Sequence, residues 1–385
     1  MAKKFFRTAF IAALSISALL TVLLYLTDTT YLIKGVKSTY LQGVQSPEID
    51  DHVHFDLREV PVGNPQALFE APQKNAIPLT EVLENTLTQT RSVAFLVFLR
   101  DSLVQEHYWQ GFGTTSHTNT FSASKTVVTL AAEKAIEEGY LSGWNQKVKE
   151  LLPELEGEYA NELELRHLST MTAGLDWDEH YSSPFTITAK TYYTDHLEQV
   201  MLGVGVSEPP GKVYEYQSGS TQLLAMCVIR ATQMSLSDYV ATRFWQPMGA
   251  VETALWQLDD VDGMEIAYCC LNSNARDFGR FGLLAMHQGN WRGQQILDSG
   301  FFKMATDGYR ADYYGYSYWI DNNSHGTKVF YMRGREGQYV ICIPEKDLVI
   351  VRLGYRYSPN GSPHKDCFHT YVDEVLKMYD EPTAP

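Results

Sequence analysis

The chain is 385 residues long and carries 31 Lys and Arg against 46 Asp and Glu, a formal charge of −15. At 44% apolar, 12% aromatic and only 20% charged residues, it has material for a sizeable core and is no disordered polyelectrolyte. An acidic total with no basic run longer than Lys3-Lys4 also excludes the concentrated positive charge of a nucleic-acid binder.

At roughly 150 residues per domain, the length suggests about two lobes. The five cysteines, at 227, 269, 270, 342 and 367, show no CxxC spacing. Neither a zinc ribbon nor a disulfide framework is expected, and most of them should be small buried apolar residues.

In chain order, Lys3, Lys4 and Arg7 precede Thr8 to Thr27, a run without charge that ends at Asp28. As a helix it is about 30 Å long, the thickness of a bilayer core. Leu23-Leu24-Tyr25-Leu26 stands where a small-residue cleavage site would be, so residues 1–27 read as an uncleaved anchor. The basic flank should stay cytoplasmic, which sends the following domain to the outer side of the membrane. Residues 28–75, with scattered prolines and no lasting periodicity, read as a tether. His52-Val53-His54-Phe55-Asp56 matches the opening of a metallohydrolase signature but follows no buried strand; it is expected as exposed loop, and no metal is expected.

The folded part is expected over 76–385. Val93 to Leu99 and Leu103 to Trp109 read as two strands around a tight turn. Thr126 to Glu138 has helical spacing and a stop at Gly139. A mostly helical lobe spans about 143–260, with its clearest pieces at Leu165 to Met171, Leu223 to Ala231 and Leu236 to Phe244. Strands return at Tyr314 to Ile320, Val329 to Met332, Tyr339 to Ile343 and Leu348 to Leu353, before a closing helix from Tyr371 to Met378. The expected fold class is α+β: an antiparallel β-sheet flanked by helices, plus an inserted all-α lobe.

Ser122-Ala123-Ser124-Lys125 is an SxxK at the start of the strongest helix. Positions i and i+3 share a helix face, so hydroxyl and amine can meet. Serine is a weak nucleophile until a base takes its proton, and a desolvated neutral lysine can be that base. Ser362-Pro363-His364-Lys365 also matches, but holds a proline and precedes no helix. Pro209 to Tyr216 forms a rigid approach to an apolar helix, able to hold Tyr216 over a cleft as a proton relay. No GxSxG elbow and no HExxH zinc site occur.

Four segments occur together and in order: Phe121 to Lys125; His167 to Leu175; Pro210-Gly211 through Tyr216-Gln217-Ser218; and Asn274 to Gly282. With Gly337-Gln338 opening a late strand, they resemble the serine β-lactamase-related superfamily of class C β-lactamases, D,D-peptidases, β-lactamase-like esterases and 6-aminohexanoate-dimer hydrolases. The resemblance covers about residues 90 to 380 and is nearest to the last two branches. It implies a β-lactamase/transpeptidase-like fold with Ser122 as acylated nucleophile, Lys125 as base and Tyr216 as proton relay. It implies an oxyanion hole from the backbone N–H groups of Ser122 and Gln338, and substrate contacts from Tyr181, Ser218, Arg335 and Gly337.

One departure stands out. Relatives carry Lys-Thr-Gly or His-x-Gly where this chain has Arg335-Glu336-Gly337. Arg335 keeps a positive charge that would depress Lys125 or bind a substrate carboxylate, while Glu336 narrows or repels part of the site.

The sequence therefore reads as a membrane-anchored serine hydrolase that cleaves a small-molecule or short-peptide amide or ester through an acyl-enzyme. No cofactor and no nucleic-acid partner are expected. The alternatives are a penicillin-recognising D,D-peptidase or β-lactamase, and a non-catalytic wall-binding or sensor protein on the same scaffold.

Overall fold

The structure is a computed structural model that describes residues 2–359 and 367–380. The chain opens with helix α1 (Ala2–Leu26), long and apolar enough to cross a membrane, followed by α2 (Tyr31–Ser38). Strands β1 (Leu57–Val60) and β2 (Phe69–Glu70), helix α3 (Glu81–Gln89), the hairpin β3 (Ser92–Leu99) and β4 (Ser102–Tyr108), and β5 (Thr118–Asn119) lead to α4 (Ser124–Glu137). Helices α5 (Leu165–Ser169), α6 (Ile187–Tyr193), α7 (Leu197–Leu202), α8 (Ser218–Thr232) and α9 (Leu236–Val240) then precede β6 (Ala254–Gln257) and β7 (Leu271–Ser273). Next come α10 (Ala275–Met286), a small hairpin of β8 (Asn290–Trp291) and β9 (Gln294–Gln295), and α11 (Ser299–Ala305). The chain closes with β10 (Trp319–Asp321), β11 (Val329–Gly334), β12 (Gln338–Ile343), β13 (Leu348–Gly354) and α12 (Phe368–Asp380).

The main sheet has the order β10-β11-β12-β13-β3-β4-β2 and is antiparallel except where the short β2 lies parallel to β4. Its central strands β3, β12 and β13 are apolar on both faces because helices cover both. One face packs α3 and α12 through Leu83, Leu87, Tyr371 and Val375; α10 covers the other. On α10, Gly279 and Gly282 bring the helix backbone down onto the sheet. A Cβ at Gly279 would stand 2.8 Å from Phe98, and one at Gly282 2.6 Å from Val349. Asn274 caps α10 through the Asp277 N–H, and Asp277 forms a fully buried ion pair with Arg280 at 2.8 Å. Arg280 also donates to the carbonyls of Met248 and Gln66, so its charge is fully partnered and ties the helix to two loops.

Apart from one span, the expected strands are present, as is the terminal helix, and the fold class is as expected. Three features differ. Tyr314 to Ile320 is not one strand: only Trp319–Asp321 pairs, and Gly315 approaches the Ala305 and Asp307 carbonyls so closely that the chain bends there. Ala254–Gln257, inside the span expected to be helical, is a strand of a second sheet, β1-β6-β7-β5. The segment expected as a tether is folded onto the domain. There β1 pairs antiparallel with β6, α2 packs on α6, and Ile49, Phe55, Val60 and Leu68 are buried in the main core. Gly35 permits that packing, since its missing Cβ would lie 3.3 Å from the Tyr193 ring. His52 and His54 sit in a short 3-10 turn, half-buried and exposed respectively.

Candidate active site

Ser122 lies in a single 3-10 turn, Phe121–Ala123, that runs directly into α4. The residue before it, Phe121, has φ of +46°, a left-handed conformation unfavourable for a bulky side chain. Asn119 holds it there: its Oδ1 accepts the Phe121 N–H at 2.8 Å and the Cys270 N–H at 3.1 Å. On the sheet side, Gly334 of β11 lets that strand approach the Thr120 carbonyl, which a Cβ would strike at 1.9 Å. The serine is therefore fixed where the helical lobe meets the sheet.

Lys125 is one helical turn on, and its amine is buried. Its Nζ donates to Ser122 Oγ at 2.9 Å and to the Tyr268 carbonyl at 2.8 Å. That carbonyl is itself positioned: Gln222 of α8 bonds the Glu265 carbonyl and the Ala267 N–H, and Ser124 donates to the Ala267 carbonyl. Burial pushes the lysine pKa down to about 8, against a smaller opposing pull from the Glu179 carboxylate. Burial, rather than the guanidinium of Arg335, accounts for the depression. Arg335 instead pairs with its neighbour Glu336 at 3.2 Å and lies over the Tyr181 ring.

Tyr216 comes from the extended segment before α8. Its ring lies 5.2 Å from the lysine Nζ and 5.6 Å from the tilted ring of Trp319, and it lines the same cavity as Ser122. Burial and the Glu179 carboxylate both raise its pKa, so it stays a neutral phenol. Tyr181, Ser218, Arg335 and Gly337 all line the cleft at Ser122. Gln338 opens β12, and its buried side chain clasps the Gly354 backbone at 2.7 and 3.0 Å. Ser122, Tyr181, Tyr216, Ser218, Arg335 and Gly337 line adjoining cavities that share Ser122, Lys125 lies behind the serine, and Gln338 lines neither cavity.

Sequence reasoning missed the residues that hold them there. The carboxylate of Glu179 accepts from Trp177 Nε1 at 2.6 Å, from the Ser218 N–H at 2.7 Å and from Ser218 Oγ at 2.5 Å, and also from the Tyr181 hydroxyl. Gln217, between Tyr216 and Ser218, bonds both backbone groups of Leu175. Arg352 crosses beneath the Arg335–Gly337 turn, donating to the carbonyls of Glu336, Gly337 and Thr90. An arginine inside the apolar run Leu348 to Leu353 was the one legible signal among these. The adjacent Cys269 and Cys270 are disulfide-bonded, with Cys269 on the cavity wall, whereas Cys227, Cys342 and Cys367 are buried as expected. The second SxxK, Ser362 to Lys365, lies outside the described residues.

The chain belongs to the Beta-lactamase family, whose model matches residues 79–366, and is a serine hydrolase of that family. It is 24% identical over 302 residues to the 6-aminohexanoate-dimer hydrolase of Paenarthrobacter ureafaciens, covering 70% of this chain and 74% of that protein. Among solved structures, a Bacillus anthracis protein provisionally assigned as a 6-aminohexanoate-dimer hydrolase superposes with a TM-score of 0.75 at 23% identity, over 85% of this chain and 91% of that one. A family VIII carboxylesterase superposes with a TM-score of 0.61 at 14% identity, over 82% and 98% of the two chains. These likenesses at low identity establish the shared fold.

Because Glu179 is the charge that opposes the depression of Lys125, Glu179→Gln should move the Lys125 titration to lower pH. Nζ chemical shifts followed by NMR across pH 6–10 read this directly; an unmoved midpoint would contradict the assignment of that charge.

Proposed function

We propose that the protein hydrolyses an ester or amide through an acyl-enzyme on Ser122, with Lys125 as general base and Tyr216 as proton relay. The observation that carries this reading is the buried amine of Lys125 held 2.9 Å from Ser122 Oγ with its pKa lowered to about 8. At pH 7 about one molecule in ten then has a neutral lysine, against fewer than one in a thousand for an exposed one.

In the forward step, Ser122 Oγ bonds to the substrate carbonyl carbon while its proton passes to Lys125 Nζ. The tetrahedral oxyanion is met by the backbone N–H groups of Ser122 and Gln338, each worth about 3–4 kcal/mol in comparable sites. The bond to the leaving alkoxide or amine then breaks, and that group takes the proton through the Tyr216 hydroxyl. Water, deprotonated by the same Lys125 and Tyr216 pair, attacks the acyl carbon. The carboxylic acid departs and Ser122 regains its proton. Tyr181 and Ser218, aligned by Glu179, contact the substrate beside the scissile bond, with Gly337 and Arg335 on the opposite rim. Residues 1–27 serve as a membrane anchor, and the hydrolase domain lies on the outer, periplasmic side. The helical lobe inserted over about 143–260 supplies one wall of the cleft.

Hydrolysis of p-nitrophenyl acetate by the full chain, compared with Ser122→Ala and Lys125→Ala, tests these roles. Either substitution should lower kcat/KM by at least a thousandfold with the thermal midpoint within a few degrees of wild type; turnover retained in Ser122→Ala contradicts the reading. Since the base acts when deprotonated, kcat/KM should rise about tenfold per pH unit below pH 8 and level off above it.

A further inference from the structure

The cleft at Ser122 does not end at the reacting groups. It continues as a cavity of about 180 Å³ whose far walls are made by the N-terminal segment. Leu32 and Val36 of α2 line it together with Pro184, Ala189, Tyr193 and Phe121, the residue before the nucleophile. The charged groups at its rim are partnered, Arg335 by Glu336.

The position of α2 along the chain adds a second constraint. Only residues 27–30 separate it from the last residue of α1. Five peptide steps, Leu26 to Tyr31, reach at most about 18 Å, whatever path they take. Helix α2 is itself held on the domain: Tyr31 donates to the Pro184 carbonyl at 3.0 Å, Lys34 pairs with Asp195 at 3.3 Å, and Asp28 pairs with Lys190 at 2.6 Å. Tyr31, the first residue of α2, is thereby held within about two nanometres of the bilayer surface if α1 spans it, and the cavity begins at the next residue, Leu32. Ile33, Val36, Tyr40 and Leu41, in and just after α2, are exposed apolar side chains, and Val36 and Tyr40 also line the cavity.

We infer that the substrate is an amphiphile delivered from the bilayer, an ester or amide whose aliphatic acyl chain lies in the α2 groove with its carbonyl at Ser122. The inference rests on the proposed serine hydrolysis and adds the substrate class. Each buried methylene multiplies binding about fourfold, so a partly filled groove separates octanoyl from acetyl substrates strongly.

The test uses the full chain reconstituted in phosphatidylcholine–phosphatidylglycerol vesicles, with p-nitrophenyl acetate, butyrate, octanoate and dodecanoate. The octanoate-to-acetate ratio of kcat/KM should exceed ten. Val36→Asp and Ala189→Trp should each lower that ratio at least tenfold, and a ratio taken within one variant is insensitive to how much of it is folded. Dodecanoate embedded in the same vesicles as the enzyme should be cleaved at least tenfold faster than dodecanoate in separate vesicles. Ser122-dependent acetate hydrolysis with a flat or falling chain-length profile would overturn the groove while leaving the serine hydrolase standing. A rising profile with no advantage for co-embedded substrate would overturn delivery from the bilayer. If no ester is cleaved, the reading and the inference fall together.

A separate cluster lies away from this cleft, between the turn after β10 and the first turn of α12. His325 Nε2 and His369 Nδ1 are 3.0 Å apart, and Asp321 Oδ2 is 3.7 and 3.8 Å from them. Three donors on a tetrahedral Zn²⁺ at bonds of about 2.0–2.1 Å stand about 3.3–3.4 Å from one another, close to this triangle. The surrounding bonds orient each donor. His325, its side chain almost fully buried, uses Nδ1 to meet Asp373 at 2.8 Å, which leaves the Nε2 lone pair turned into the cluster. Asp321 spends its other oxygen, Oδ1, on the N–H groups of Asn323 and Ser324, and turns Oδ2 toward the two imidazoles.

We propose that Asp321, His325 and His369 bind one Zn²⁺ with an open fourth position, and that Asp373 is a positioning residue. Calorimetric titration of EDTA-treated full chain with Zn²⁺ alone should give one site per chain. His369→Ala, an exposed position, should weaken it at least tenfold, and Asp373→Asn about tenfold or more. No binding by wild type up to 1 mM, or equal binding by His369→Ala at an unchanged thermal midpoint, would overturn the site.

Discussion

The amine of Lys125, buried against Ser122, is the constraint on which the rest of the structure depends. A charged ammonium in that position is costly, and among the described residues its direct hydrogen-bond partners are a hydroxyl and a carbonyl. The cost shows as a pKa lowered to about 8, and it requires that water be kept away. Three walls do so: the Tyr216 ring, the Tyr268 ring and the body of α4, with Ala123 and Val127 buried around it. The walls come from both lobes. Fold and chemistry are linked through this one buried group.

The second requirement is that polar groups at the cleft stay where they are. Glu179 serves this end by gathering Trp177, Tyr181 and Ser218 on one carboxylate, joining a loop of the helical lobe to the N-terminus of α8. Gly219 allows it, since a Cβ there would lie 2.6 Å from the Trp177 indole. On the opposite rim, Arg352 takes up the carbonyls of a turn in which Glu336 and Gly337 both have positive φ. Such a turn persists only where the surroundings over-determine it. The departure at Arg335-Glu336 thus leaves a self-paired rim rather than a free cation.

What could be read from the sequence was local or repeated. The SxxK pair is legible because i and i+3 meet on any helix, and β3, β12 and β13 because apolar runs bounded by turns have few other uses. Glu179, Gln217 and Asn119 were not legible, because the partners Ser218, Leu175 and Cys270 that give them their roles are distant in the chain, and Arg352 showed only as a charge within an apolar run. The N-terminal segment was misread for a related reason. Ile49, Phe55, Val60 and Leu68 are single apolar residues among prolines and polar groups, with no period to reveal that they are buried, and the partner of β1 lies far downstream in β6. Its folding onto the domain makes α2 a wall of the cavity.

The most direct test of the account is to ask where the acyl group resides during turnover. Full-length protein quenched in acid within a second of mixing with p-nitrophenyl butyrate, then digested and mapped by mass spectrometry, should carry a butyryl group on the peptide containing Ser122. The adduct should disappear as substrate is exhausted. Turnover with no adduct on that peptide, or with a transient adduct on another residue, would contradict the buried Lys125–Ser122 pair as the reacting centre.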